Sequence, residues 1–88
     1  MAAYKVAHVK EQGQDIIFVF VGRQLSDQQL TSLQLCASEA RLAGTVVPIW
    51  RYSFSRFAFT APLQWHSYIS SLTWNCLVRA INKSLSCG

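Results

Sequence analysis

His66 and Ser67 could supply the base and the hydroxyl nucleophile of an acyl transfer. Neighbours on a helix point apart, however, and no carboxylate is placed to orient the imidazole. Cys36, Cys76 and Cys87, with His8, offer thiolate and imidazole ligands, but no pair has CxxC or another recurring metal-ligand spacing. The odd cysteine count argues equally against a closed disulfide framework and fits a reducing cytoplasm. The acids Glu11, Asp15, Asp27 and Glu39 are divided among a loop, a strand start and a helix, so no general acid/base pair emerges. Gly13, Gly22, Gly44 and Gly88 are dispersed and form no phosphate-cradling loop. The expectation is a non-enzymatic protein without metal or cofactor.

What remains is a set of rings and cations: Phe18, Phe20, Phe57 and Phe59, with Trp50 and Tyr52, and Lys5, Arg23, Arg51 and Arg56. A net charge of +4 permits an anionic partner. Hydrophobic residues make up 51% of the chain and charged residues only 14%, a composition that folds but leaves little charge to keep surfaces apart. Eighty-eight residues bound the chain to one domain, 1–88, because so short a chain cannot support two independent cores. The longest unbroken apolar run, Ile16 to Val21, is far below a membrane span, and Met1 to Gln12 has no signal-like apolar core. A cytoplasmic protein is expected.

The elements that must position these residues follow from spacing. Tyr4 to Lys10 and Ile16 to Val21 flank Glu11-Gln12-Gly13-Gln14 and predict a hairpin. Ser26 as N-cap, with Gln29 three residues later, opens a helix whose apolar positions Leu30, Leu33, Ala37 and Ala40 carry it over Asp27 to Ala43, with Gly44 as its terminator. Thr45 to Trp50 and Arg56 to Thr60 predict a second hairpin. Pro62 opens a helical segment from Leu63 to Ile69, and Thr73 caps a last helix with Trp74, Leu77, Val78, Ile81 and Leu85 on one stripe. The order is ββαββα. Pro48 cannot donate to a central ladder, which favours the third strand at an edge. A four-stranded antiparallel sheet of order 1-2-4-3, two-layered with helices on one face, satisfies these rules and resembles a permuted ferredoxin-like α/β plait.

Ile16 to Val21 is apolar on both sides of its strand, so both faces of its sheet want cover. With helices on one face, either Phe18, Phe20, Phe57 and Phe59 or Ile17, Val19 and Val21 are left for a partner. A second copy joined face to face is the least demanding occupant, and a homodimerising binding or assembly module is the leading expectation. A different use of the face is suggested by Phe18-Val19-Phe20-Val21-Gly22 and Arg56-Phe57-Ala58-Phe59. These runs resemble the two aromatic strand motifs of RNA-recognition motif domains, except that Arg56 replaces the glycine of the longer motif and the element order is permuted. The resemblance implies sheet-face rings that stack on unpaired bases. In the 1-2-4-3 arrangement Lys5, Arg23, Arg51 and Arg56 meet at one edge, with Tyr52 and Phe54 among them, as single-stranded nucleic-acid binding requires.

Overall fold

The computed structural model describes residues 2–87. Strands β1 (Ala2–Glu11) and β2 (Gln14–Phe20) form the expected hairpin about Gln12 and Gly13, whose φ values of 52° and 76° suit a tight two-residue turn. Helix α1 (Asp27–Glu39) begins at a complete capping box: the Gln29 backbone N–H donates to Ser26 Oγ, and the Ser26 N–H donates to Gln29 Oε1. It ends earlier than the apolar spacing suggests. Arg41, at φ 63°, takes the left-handed position expected of Gly44; its N–H donates to the Ser38 carbonyl and that of Leu42 to the Ala37 carbonyl. This paired C-terminal motif turns Leu42 back onto the core that Ala37 occupies.

Strands β3 (Thr45–Ser53) and β4 (Arg56–Phe59) make the second hairpin. A 3-10 turn, Leu63–Trp65, leads into α2 (His66–Ser70), and α3 (Trp74–Arg79) starts at Thr73, whose hydroxyl accepts from the Cys76 N–H. The chain then departs from the predicted long helix. The Asn82 N–H donates to the Val6 carbonyl, its side-chain amide donates to the His8 carbonyl, and its Oδ1 accepts from the His8 N–H. Clamped there on the free edge of β1, the chain continues as a fifth strand, β5 (Lys83–Cys87).

The sheet is therefore five-stranded and mixed, in the order β4-β3-β2-β1-β5, with β2 and β3 parallel and every other pair antiparallel. The α+β class is as expected; the four-stranded antiparallel order 1-2-4-3, on which the ferredoxin-like comparison rested, is not what forms. Pro48 lies inside the sheet after all, opposite Val19. Ile49 directs its backbone to β2, since its carbonyl accepts from Val21, so the alternation turns Pro48 toward β4. There β4 has already ended at Phe59, and the Pro48 carbonyl accepts from Thr60. The missing N–H therefore falls at the last rung of the β3–β4 ladder, opposite Thr60, where one terminal bond is lost and the pairing with β2 is untouched.

Helices cover both faces, not one. On one side Ala7, Ile16, Phe18, Val47 and Ile49 pack against Trp65, Ile69 and Leu77 of the 3-10 turn, α2 and α3. On the other, Val6, Ile17, Val19 and Leu85 pack against Leu33 and Ala37 of α1. Helix α1 links the parallel neighbours β2 and β3 across one face, and α2 and α3 carry the chain across the other, from the β4 edge to the β5 edge. Ile16, Ile17, Phe18 and Val19 are all fully buried, each contributing about 1.5 to 3 kcal/mol. The cover that this strand demands is supplied by the chain itself.

Candidate functional site

The side chains first weighed for catalysis are occupied elsewhere. The His66 Nε2–H donates to the Ala61 carbonyl at 2.9 Å, and its ring packs edge-on against Phe59. Half-buried His8 sits 3.3 Å from Asp15 Oδ1, a pairing that is ionic when the imidazole is protonated. Among the described residues no three His, Cys, Asp or Glu side chains converge as metal ligands would, and no helix is long and apolar enough to cross a membrane.

Two cysteines do meet. The fifth strand lies beside α1 and joins Cys87 to Cys36 in a disulfide, with Cα atoms 5.8 Å apart, while Cys76 is free and exposed. The expectation of no disulfide is corrected by an element the sequence reading lacked: as the tail of a helix, Cys87 had no route to Cys36.

The phenylalanines do not form an open stacking face. Phe18 is wholly buried, and Phe20, Phe57 and Phe59 are half-buried under α2 and α3. Phe20 and Phe57 seat Trp74. Its ring meets Phe20 edge-on at 5.3 Å and Phe57 at 6.0 Å, and the Arg51 guanidinium lies over it, 5.7 Å from the centroid. A cation over an indole face gains about 0.5 to 1 kcal/mol when exposed, enough to bias where the guanidinium points. Trp65 is core at 3% exposure, and Trp74, from the apolar stripe of the last helix, caps that core at its rim. Trp50 is half-buried on the α1 side of β3, opposite Ala58.

Beyond Trp74 the β3–β4 hairpin projects. Tyr52 is 63% exposed and Phe54 93%, with exposed Arg51 and Arg56 on either side. Lys5 and Arg23 lie at the same end of the sheet, although the strand order differs from the expected one. Lys5 is one residue beyond the Val6–Val19 pair, Arg23 follows the end of β2, and Arg51 is two residues beyond the Phe20–Ile49 pair. With strands about 4.8 Å apart, β1 and β3 are separated by roughly 10 Å, so Lys5 flanks the hairpin rather than touching it.

The carboxylates are distributed in the opposite sense. Glu11 and Asp15 flank the β1–β2 turn at the far end, and Glu39 closes α1 as the chain returns to that end; Asp27 alone shares the end of the four cations. Among the described residues the one ion pair is His8–Asp15, so none of these four cations is neutralised by a carboxylate. The result is a positively charged end carrying exposed rings, positioned by β3, β4 and the first residue of α3. Phe54, named in sequence only as a companion of the arginines, is its most exposed ring; the signal for it was the Arg51-Tyr52-Ser53-Phe54-Ser55-Arg56 interleaving itself. Comparison of the chain with protein-family models, curated proteins and solved structures finds no match.

Proposed function

We propose that this protein is a non-enzymatic binding module that takes single-stranded nucleic acid at its β3–β4 end. The observation that carries the reading is the interleaving of cations free of carboxylate partners with exposed rings: Arg51 and Arg56 around Tyr52 and Phe54. Cations neutralise phosphates by releasing counterions, and exposed rings stack on unpaired bases whatever their identity. Phe54 at 93% exposure is an unfavourable way to leave a ring in water, and a partner's base would cover it. The binding end is built by β3, β4 and α3, so the proposal holds in a reducing cytoplasm, where Cys36 and Cys87 would stand as thiols, and equally in an oxidising compartment.

Fluorescence anisotropy with a labelled single-stranded oligonucleotide tests it. If Lys5, Arg23, Arg51 and Arg56 all engage phosphates, log affinity should fall with log salt at a slope of about −2.8, and Arg51→Ala or Arg56→Ala should each reduce that slope by about 0.7. No retention of RNA or DNA at low salt would remove the proposal. The homodimer reading loses the open sheet face on which it was founded. Light scattering that shows a dimer, with no affinity for oligonucleotides, would put that reading in place of this one.

A further inference from the structure

The β3–β4 end holds two adjoining clefts. Arg51, Phe54 and Asn75 border the first, of about 530 Å³, and Arg56, Phe57 and Leu72 the second, of about 300 Å³; Tyr52 and Ser55 belong to both. The first cleft thus pairs one arginine with one phenylalanine and the second one arginine with two, Phe57 and Phe59, while Tyr52 lines both.

The backbone explains how Tyr52 comes to stand there. Arg51 pairs with Phe57 and Ser53 with Arg56, so two steps along β3 match one step along β4 and Tyr52 is the extra residue of a bulge. Regular alternation would turn Tyr52 away from the side on which Arg51 meets Trp74. The bulge re-aims it, so that it borders clefts whose other walls include Asn75 and Leu72 from the α2–α3 layer.

Resting on the nucleic-acid reading above, we infer that Tyr52 separates two successive unpaired bases, one in each cleft, with Arg51 and Arg56 drawn to the phosphate that joins them. The occupant is a dinucleotide step of a single strand. Charge complementarity favours it over an uncharged peptide, because both clefts carry a guanidinium that no described carboxylate pairs. Duplex does not fit, since its bases are stacked on each other and offer no free face to a ring between them.

A length series of oligothymidylates, measured by competition against a labelled hexamer, tests the inference. Affinity should rise by about 5- to 150-fold from one nucleotide to two, the gain of one stacked base, and only shallowly beyond. A hexamer in which every second position is abasic, so that no two bases are neighbours, should not gain that step. Tyr52→Ala should abolish the step and Tyr52→Phe should keep it, with circular dichroism confirming that both variants fold. If Tyr52→Ala binds the hexamer as tightly as the parent while Arg51→Ala and Arg56→Ala weaken it, the two-base assignment is overturned and backbone-led binding stands. If the hexamer is not bound at low salt, both fall together.

Discussion

Reduction of the Cys36–Cys87 bond should cost this protein a large share of its stability, chiefly through β5. The bond closes a loop across a sequence separation of 51 residues, and restricting the unfolded chain to that extent is worth about 4 kcal/mol on the chain-entropy model. A domain of this size has a total stability of about 4 to 13 kcal/mol, so the loss runs from a third to nearly all of it. The fifth strand is the element least able to withstand it. Of its side chains only Leu85 is fully buried, worth about 1.5 to 3 kcal/mol, against an ordering cost of about 1 to 2 kcal/mol for each of its residues. Urea titration of oxidised and reduced protein, with thiols counted by alkylation and mass spectrometry, should show the midpoint falling by about 1.3 to 4 M. Amide exchange should quicken first at Lys83–Cys87 and at the β1 residues that pair with them, Ala2 to Val6. Coincident midpoints for fully oxidised and fully reduced protein would refute the reasoning, because they would mean that the bond neither restricts the unfolded chain nor holds β5.

Three further outcomes test other parts of the fold. Phe18→Ala should destabilise by about 3 to 5 kcal/mol in chemical denaturation, whereas Tyr52→Ala should stay within about 0.5 kcal/mol; equal effects would contradict the covered face. Gly44, at φ 149°, brings its Cα side against β2, where an added Cβ would meet the Asp15 carbonyl oxygen at 2.7 Å, so Gly44→Ala should cost more than about 1 kcal/mol, read from the same denaturation curves. The Tyr68 phenol is pushed above its ordinary value of 10.0, first by burial, then by the Glu11 carboxylate and its hydrogen bond, and then by Cys76. The folded chain therefore keeps this proton at a pH where the unfolded chain has lost it. Its contribution to stability is whole below pH 10 and is lost as pH rises through the folded value. Tyr68→Phe should flatten that alkaline decline, and wild-type and variant stability curves that run parallel above pH 10 would refute it.

The local signals were legible and the long-range ones were not. Ser26 with Gln29, Thr73, Pro62 and the Gln12-Gly13 turn each mark an element boundary through hydrogen bonds or dihedral preferences within a few residues. The last strand was missed because Ile81 and Leu85 fit a helical stripe while Ser84-Leu85-Ser86-Cys87 also fits a strand's alternation. The Asn82 clamp on β1, 74 residues away, decides between them. Pro48 misled for a related reason: a proline removes a donor toward one neighbouring strand only, and how much of a ladder that interrupts depends on where β4 stops. The end that gathers Lys5, Arg23, Arg51 and Arg56 was found despite the wrong strand order, since β2 and β3 run in the same direction in both arrangements and each hairpin reverses its second strand. Tyr52's position was beyond reach, because the bulge that aims it is a matter of register between two strands.

The two halves of the sequence's aromatic signal have parted company in the fold. Phe18, Phe20, Phe57 and Phe59, which alternate as a stacking face would, are taken by the α2–α3 side, where Phe20 and Phe57 seat Trp74 and Phe59 meets His66. Trp74 in turn holds the Arg51 guanidinium. The rings left over, Tyr52 and Phe54, lie beyond the ladder that β3 and β4 share with the core, at the one end where cations outnumber carboxylates. With both faces of the sheet covered, the loops at its ends become natural places for a ligand to meet it. In this chain the β3–β4 hairpin carries an arginine that lies over Trp74, itself seated by Phe20 and Phe57, so under the proposed reading the half-buried phenylalanines act through the side chain they support, and Phe57 also as a wall of the second cleft.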